Sequence, residues 1–428
     1  MNHTIIKQVI LEQRETINKI DLIERNYSFE LSLNYVLVGP RRAGKTMLLY
    51  SVVKKLIDAG VDWNQIIFVN FEDERLAEFS ASDFNDIVLV KNELTDAKGY
   101  YFFDEIQNID GWERFARRMS DQKEFVYITG SNAKMLSREI SNALGGRYIP
   151  KMISTFSFLE YLNAKEIPHT ENDLLSTSVK GRIIRSFEEY YTYGGFPETL
   201  TIKSKREYVS NVYQKIILGD VMSRNNIRNG TALKLMVKKT AESVRSELSY
   251  TRLHNMIKSI GVSISKDTVI DYIEYMKDAY LLFSIKNYYA AFVEKESNPK
   301  YYFQDNGLLN LFLIDKKSAL LENAAAIFLY NRYHENLFYL RSSQTSIDID
   351  FYIPEENTVI QVAYSIEGDA RKREIDNLLK FAENDTDAKL IILTFNEEER
   401  IETEGRIINV VPAYRYLLTD TPRQLPIV

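Results

Sequence analysis

An eight-residue segment with two glycines constrains this chain more than any other part of its sequence. It follows a short apolar run and precedes a stretch in which apolar residues recur at helical spacing. The segment matches the pattern G-x4-G-K-[ST], in which backbone amides and a helix N-terminus surround phosphate groups. We therefore predict a P-loop that binds ATP. The predicted nucleotide-binding residues are Gly39, Pro40, Arg41, Arg42, Ala43, Gly44, Lys45 and Thr46.

The third apolar run, at 100–103, is followed by two consecutive carboxylates, Asp104 and Glu105. In P-loop enzymes a carboxylate at this place and the P-loop hydroxyl hold Mg²⁺, so Asp104 and Thr46 are the predicted metal ligands. Lys45 is expected to contact the β- and γ-phosphates. Glu105 is placed to polarise the attacking water as a general base, which favours hydrolysis over binding alone. The alternative is an exposed acidic pair without a catalytic role.

Two more polar groups complete the predicted catalytic set. The sequence T-G-S-N follows a fourth apolar run, where Ser131 or Asn132 could sense the γ-phosphate or orient the water, and Asn132 is preferred. A simple turn is the alternative. An arginine usually offsets the charge that grows on the γ-phosphate. Arg147 is the first candidate, followed by Arg138 and Arg42, although each could also be structural or solvated.

The spacing of apolar runs predicts the fold of the first third of the chain. Four runs of strand length alternate with helical patterns, which indicates a parallel α/β sheet. The runs are continuous rather than alternating, as expected when helices cover both faces of the sheet. Residues 1–34 are predicted to be helical. The predicted strands are 35–38, 66–70, 100–104 and 125–129.

The composition excludes several classes of protein. With 428 residues, two or three domains are expected. The chain has no cysteine, which excludes disulfides and thiolate catalysis and favours a reducing compartment. Its four histidines lack ligand spacing. The N-terminus is not an apolar leader, and no apolar run approaches the roughly 20 residues that span a bilayer. We therefore predict a cytoplasmic protein without a membrane segment.

These motifs resemble those of a known family. The P-loop, F-D-E-I-Q at 103–107, T-G-S-N at 129–132 and G-R-Y at 146–148 are similar to a group of prokaryotic AAA-type ATPases. Two later motifs, at 193–197 and 302–307, resemble the C-terminal domain of unknown function that accompanies that ATPase. The resemblance covers essentially the whole chain. It implies an AAA-type P-loop sheet, then a helical and winged-helix region, then a C-terminal α/β domain of the restriction-endonuclease type.

The second half of the chain contains a pattern that fits the expected winged helix. Residues 249–282 are predicted to form helix, turn, helix and then a strand pair, with the spacing that a helix-turn-helix requires. Residues 231–300 carry 11 Lys and Arg against 8 Asp and Glu, which is only slightly basic for a DNA reader. DNA binding and a helical protein-interaction module both stay open. The predicted domains are an AAA-type ATPase (1–155), a helical region (156–230), a winged-helix-like region (231–299) and a nuclease-like α/β domain (300–428).

The nuclease-like domain is predicted to be catalytically degenerate. A nuclease of this type needs carboxylates for Mg²⁺ and a Glu-x-Lys on the following strand. Glu322, Asp348 and Asp350 fit the carboxylate positions, but the third position reads Gln361-Val-Ala363. Alanine cannot stabilise charge. Lys372, on the following helix, is the candidate for a substitute lysine.

Three functions are consistent with these patterns. The first is Mg²⁺-dependent ATP hydrolysis that drives or gates a domain rearrangement, with the C-terminal half engaging DNA or a protein partner. The second is a slow nucleotide-occupancy switch or scaffold without DNA binding. The third is an ATP-regulated nuclease, against which the missing Glu-x-Lys weighs. An arginine supplied by a neighbouring chain is compatible with oligomerisation, which the sequence does not decide.

Overall fold

The computed structural model describes residues 3–290, 298–314 and 317–419. These residues form two compact units, 3–154 and 155–419. One unit holds a sheet of five strands and the other a sheet of eight. Within the described part of the chain, no helix is long and apolar enough to cross a membrane.

The first unit is a parallel sheet between helices. Its elements are α1 (His3–Lys19), β1 (Asn34–Val38), α2 (Lys45–Asp58), β2 (Ile66–Asn70), α3 (Phe84–Leu94), β3 (Tyr100–Asp104), α4 (Trp112–Asp121), β4 (Phe125–Gly130), α5 (Arg138–Leu144) and β5 (Tyr148–Met152). The strands lie in the order β2-β3-β4-β1-β5, and every neighbouring pair is parallel. The ends of β1, β3 and β4 therefore meet at one edge of the sheet.

The predicted parallel α/β sheet is confirmed, with one strand more than the sequence indicated. The four predicted strands are β1 to β4. β5 was missed because its sequence, Y-I-P-K-M, lacks a continuous apolar run. Its proline is tolerated because β5 is an edge strand, where one row of backbone donors has no ladder partner.

The N-terminal helix is shorter than predicted. The expectation of helix through residue 34 is wrong, since α1 ends at Lys19 and the segment 20–33 is irregular. Contacts with the rest of the unit hold this segment. Lys54 Nζ donates to the carbonyl oxygen of Ile20 at 2.6 Å, and Tyr127 Oη donates to that of Leu31 at 3.1 Å. Tertiary contacts thus override the apolar spacing, which is a weak preference by itself.

The second unit begins with helices. They are α6 (Phe158–Ala164), α7 (Thr177–Tyr193), α8 (Lys205–Lys215), a π-helical segment (Ile216–Ser223), α9 (Gly230–Glu242), α10 (Tyr250–Ser259) and α11 (Lys266–Asp278). The helix α7 ends at Tyr193, and Gly194, which follows it, has a φ of 80°. A positive φ is where glycine is favoured over other residues.

The rest of the second unit is a mixed α/β sheet. Its elements are β6 (Leu282–Asn287), β7 (Lys300–Phe303), α12 (Asn306–Asn310), α13 (Lys317–Tyr333), β8 (Phe338–Ser342), β9 (Ile347–Ile353), β10 (Thr358–Val362), α14 (Asp369–Ala382), β11 (Lys389–Thr394), β12 (Glu399–Thr403), β13 (Arg406–Pro412) and α15 (Ala413–Tyr416). The strand order is β12-β13-β11-β10-β9-β8-β6-β7.

The predicted order of helix, turn, helix and strand is present as α10, α11 and β6. The strands β6 and β7 pair antiparallel and continue the eight-stranded sheet, because β6 also pairs with β8. Residues 291–297 of the predicted winged-helix region and residues 420–428 of the predicted nuclease-like domain lie outside the described residues. The winged-helix and nuclease-like assignments, and the division of the second unit into three regions, stay predictions.

Candidate nucleotide-binding and catalytic site

The P-loop has the backbone that its glycines permit. Gly39 has a φ of 149° and Gly44 a φ of 89°, both in the region that favours glycine. A Cβ atom at Gly39 would lie 2.0 Å from the carbonyl oxygen of Ile153, so no side chain fits there. Arg42 also has a positive φ, 60°, which is uncommon for a residue with a Cβ atom. Backbone strain of this kind concentrates at functional sites.

Lys45 is buried at the start of α2 and its ammonium group contacts the loop itself. Its Nζ atom donates to the carbonyl oxygens of Gly39 and Pro40, both at 2.9 Å. The same atom lies 3.9 Å from Glu105 Oε1. The lysine therefore sits inside the P-loop and beside the predicted general base, where a bound phosphate would take the place of the carbonyl partners.

The two predicted metal ligands are in direct contact. Thr46 Oγ1 donates to Asp104 Oδ2 at 2.8 Å. Thr129 Oγ1 donates to the other oxygen, Oδ1, and accepts a hydrogen bond from the Glu105 backbone N–H at 2.9 Å. Burial, and then the charge of Glu105, raise the pKa of Asp104 to about 6. A cation beside this carboxylate would offset that penalty.

Glu105 is held in place by two polar side chains. Gln107 Nε2 donates to Glu105 Oε2 at 2.5 Å, and Ser131 Oγ donates to the same oxygen at 3.0 Å. Burial alone would raise the pKa of Glu105, but the Lys45 ammonium group and these hydrogen bonds lower it. Glu105 is therefore ionised at neutral pH, the state that a general base needs. Its own φ is 52°, another strained backbone position at this edge.

The structure distinguishes the two polar residues after β4. Ser131 reaches Glu105, whereas Asn132 Oδ1 accepts the backbone N–H of Lys134 at 2.9 Å and caps the short helical turn that follows. Asn132 is nevertheless buried at the same edge of the sheet. Sequence reasoning missed Gln107 and Thr129, although both stand in the motifs that were singled out. Their roles depend on which strands are neighbours.

The candidate arginines are distributed around the unit rather than gathered at the P-loop. Arg147 directly precedes β5 and pairs with Asp121 at 2.7 Å. The strand β5 starts opposite Asn34, at the beginning of β1. Four residues of strand, about 13 Å, separate this edge from the P-loop. Within one chain, Arg147 is thus not brought together with the other predicted catalytic residues, and a role across a chain contact stays a prediction.

The other arginines differ in their surroundings. Arg41 Nη1 donates to Glu72 Oε1 at 2.8 Å. Arg42 lies within the P-loop and is exposed. The side chain of Arg138 lies outside the described part of the structure.

The arrangement fits Mg²⁺ with a nucleoside triphosphate. Mg²⁺ prefers oxygen ligands and keeps several waters, with one or two protein groups and phosphate oxygens. The Thr46 hydroxyl and the Asp104 carboxylate supply such a pair, and Lys45 supplies a positive charge for phosphate. Among the described residues, no group of three or more His, Asp and Glu side chains is arranged to hold a metal ion by itself.

A second cluster of charged side chains lies in the second unit. Lys300 Nζ lies 3.1 Å from Asp350 Oδ1 and 3.6 Å from Glu322 Oε1. Tyr302 Oη donates to Glu322 Oε1 at 2.8 Å, and Arg245 Nε donates to Glu322 Oε2 at 3.2 Å. Burial alone would lower the pKa of Lys300, but the two carboxylates raise it to about 12. The lysine is therefore charged and is shared by the two carboxylates.

This cluster corrects one expectation about the nuclease-like site. The lysine beside the predicted carboxylates is Lys300 of β7, whereas Lys372 is exposed on α14. Gln361 faces the same region, with Nε2 donating to Glu374 Oε2 at 2.9 Å. Neither Lys300 nor Glu374 could be found from motif spacing. Two helices and a strand separate Lys300 of β7 from Asp350 of β9 in the sequence, and Glu374 lies on α14, beyond β10.

Comparison with known proteins identifies two regions of the chain. Residues 32–162 match the family described as "AAA domain", and residues 184–319 match a "Domain of unknown function (DUF8612)". Among solved structures, the Walker-type ATPase PABY2304 of Pyrococcus abyssi is similar over 71% of this chain and 94% of that chain. Its sequence identity is 13% and its TM-score is 0.43, so this likeness supports no conclusion about function.

Two relatives are similar over nearly their whole length. An uncharacterised protein of Haemophilus influenzae is 30% identical over 90% of this chain and 94% of its own length. Uncharacterized protein MJ1544 of Methanocaldococcus jannaschii is 31% identical over 97% of this chain and 95% of its own length. The chain therefore belongs to the same family as MJ1544, and an AAA domain of the P-loop type precedes a domain of unknown function in it.

Proposed function

We propose that this protein binds ATP with Mg²⁺ and hydrolyses it in its first unit. The observation that carries the proposal is the meeting of four groups at one edge of the parallel sheet. Lys45 provides positive charge for the phosphates, Thr46 and Asp104 provide oxygen ligands for Mg²⁺, and Glu105 is an ionised base 3.9 Å from Lys45. ATP supplies the phosphoanhydride, and the chain's residues orient it and the attacking water.

The glutamate is the group that favours turnover over binding alone. Its carboxylate is buried, ionised and held on one oxygen by Gln107 and Ser131. The other oxygen, Oε1, lies toward Lys45. A base that is oriented by its neighbours and faces the phosphate-binding loop is arranged to accept a proton from water.

Two substitutions test this assignment. Lys45→Ala should abolish ATP binding, because it removes the charge that faces the phosphates. Glu105→Gln should bind ATP but lower turnover by at least about a hundredfold, the usual contribution of a general base. Glu15→Gln, on the exposed face of α1, is the matched control for loss of one carboxylate. Parental turnover by purified Glu105→Gln would show that another group activates the water.

For the second unit we propose engagement of DNA or of a protein partner, gated by the nucleotide. The support is the helix pair α10 and α11, followed by antiparallel strands, which is the order of a DNA-reading module. Turnover should be measured with and without duplex DNA, at several protein concentrations. Stimulation by DNA favours a DNA partner, and a rate that rises more than linearly with concentration favours assembly. A rate indifferent to both would contradict engagement of DNA.

One observation favours a second candidate, a slow nucleotide-occupancy switch. Lys45 is bonded to two loop carbonyls. Phosphate must displace or rearrange these contacts before each turnover. Slow, flat ATP hydrolysis together with tight nucleotide binding would support the switch over the motor.

Nuclease activity is not part of the proposal. The positively charged Lys300 lies between Asp350 and Glu322, in the place that a divalent cation shared by the two carboxylates would take. Together with Gln361 and Ala363 in place of Glu-x-Lys, this argues for a site that holds its fold without cleaving. The cytoplasmic location stays a prediction.

A further inference from the structure

The segment between α1 and β1 places a buried arginine against the P-loop. Arg25 is 8% exposed, although its segment has no regular secondary structure. Its Nη1 atom donates to the carbonyl oxygen of Ala43 at 2.7 Å, and its Nη2 atom donates to that of Ser154 at 2.9 Å. The guanidinium carbon lies 5.1 Å from the centre of the Tyr27 ring. A buried charge with such partners is costly to replace.

The surroundings of Arg25 are fixed from more than one side. Tyr27 Oη accepts the backbone N–H of Ser154 at 3.2 Å, so the aromatic ring and the second carbonyl partner are joined. Ile153, one residue earlier, closes against Gly39 and donates its N–H to the Val38 carbonyl oxygen at 2.7 Å. The guanidinium group therefore links the P-loop to the segment that directly follows β5.

The planarity of the peptide bond gives this link a consequence for phosphate binding. The Ala43 carbonyl and the Gly44 N–H belong to one trans peptide unit, so they point in opposite directions. When Arg25 holds the oxygen, the direction of the N–H is fixed as well. In P-loops such backbone N–H groups surround the phosphates. Gly44 has a φ of 89°, so without an anchor its flanking peptide has more conformations available.

We propose that Arg25 is a positioning residue of the ATP site, which orients the Ala43–Gly44 peptide toward the phosphates. The inference rests on the proposed binding of ATP by this loop. Lysine cannot replace the arginine, because one ammonium group on a flexible stem does not reproduce a planar fork that reaches two separate carbonyls. The loop N–H groups contact phosphate in the ground state and in the transition state alike. Loss of Arg25 therefore raises KM more than it lowers kcat.

The test compares Arg25→Lys and Arg25→Ala with Arg14→Lys. Arg14 is a suitable control because it is partly buried in the same unit and donates to the Ile66 carbonyl oxygen at 3.5 Å, at the start of β2. Affinities for ATP and ADP are measured by competition with a fluorescent ATP analogue, together with KM, kcat and melting temperature. Both Arg25 variants should bind ATP and ADP about tenfold more weakly, the usual effect of losing a charge-assisted hydrogen bond. In Arg14→Lys, nucleotide affinity should stay at the parental value.

The outcomes separate this inference from the function on which it rests. If the parental chain binds ATP and Arg25→Ala binds it equally well, the inference fails and the proposed function stands. It also fails if Arg25→Lys restores full affinity, or if both arginine positions lose affinity in proportion to their loss of melting temperature. If the parental chain binds no ATP, both proposals fail. A raised KM with a nearly unchanged kcat in Arg25→Lys, at a melting temperature similar to that of Arg14→Lys, supports the positioning role.

Discussion

Replacement of Lys300 by methionine removes the only cation that the structure places within 4 Å of both Glu322 and Asp350 among the described residues. Methionine has a similar volume, so the loss is mainly electrostatic. Breaking a buried ion pair by removing one partner costs about 3–5 kcal/mol. Arg245 still donates to Glu322, and its side chain is 46% exposed, so we expect the lower end, about 3 kcal/mol.

That loss should lower the melting temperature of the second unit by about 6–12 °C, at roughly 2–4 °C per kcal/mol for a domain of this size. The double variant Lys300→Met/Glu322→Gln should recover more than half of it. The amide keeps the oxygen that accepts from Tyr302 and removes one of the two negative charges that faced Lys300. Calorimetry or circular dichroism on the full chain measures the melting temperatures of the single and the double variant. The parent and Glu322→Gln complete the double-mutant cycle.

The loss of stability in Lys300→Met should depend on pH, and its direction follows from the pKa of Glu322. Burial and the Asp350 charge already raise the pKa of Glu322 above its usual 4.5, and loss of Lys300 raises it further. A carboxyl with a raised pKa is uncharged at low pH, so its penalty vanishes there and appears as pH rises through the shifted value. The stability gap between parent and Lys300→Met should therefore narrow as pH falls from 8 toward 5. Added Mn²⁺ should stabilise Lys300→Met and not the parent, because no lysine then lies between the two carboxylates. An unchanged melting temperature in Lys300→Met, or a double variant no more stable than the single, would refute the reasoning.

Two further predictions concern residues with unusual surroundings. Asp305→Asn should destabilise the second unit by about 1–3 kcal/mol in urea denaturation. The reason is that one of the two acceptor oxygens of Asp305 becomes a donor that faces the N–H of Gly195. Stability equal to that of the parent would contradict this hydrogen-bond assignment. Gly39→Ala should abolish ATP binding, since its Cβ atom would lie 2.0 Å from the Ile153 carbonyl oxygen. The control Gly60→Ala has open space around its Cβ atom. It should cost only about 1 kcal/mol in stability and keep ATP binding. Equal ATP affinity in the two glycine variants would show that the close approach at Gly39 does not matter.

Much of the candidate ATP site could be predicted from the sequence, because each of its motifs spans only a few consecutive residues. The P-loop and the carboxylates after β3 each lie within a few residues, and their strands are continuous apolar runs. Strand length and glycine spacing are set by backbone geometry over such short distances, so the pattern predicts the structure. The N-terminal segment was predicted wrongly for the opposite reason, since contacts such as that of Lys54 with Ile20 decide its conformation.

The choice of partners was decided only by the tertiary structure. The order β2-β3-β4-β1-β5 puts the end of β4 beside β3, so Ser131 and Thr129 reach Glu105 and Asp104. Arg147 lies at the opposite edge, because it precedes β5 and β5 runs parallel to β1. In the second unit, pairing of distant strands brings Lys300 to Asp350. The sequence by itself determined which residues are candidates to bind phosphate and metal, because that depends on chemical type and local spacing. Long-range packing decided which of these residues meet, and local patterns do not encode it. The same packing brings Arg25 to the loop from outside the motif.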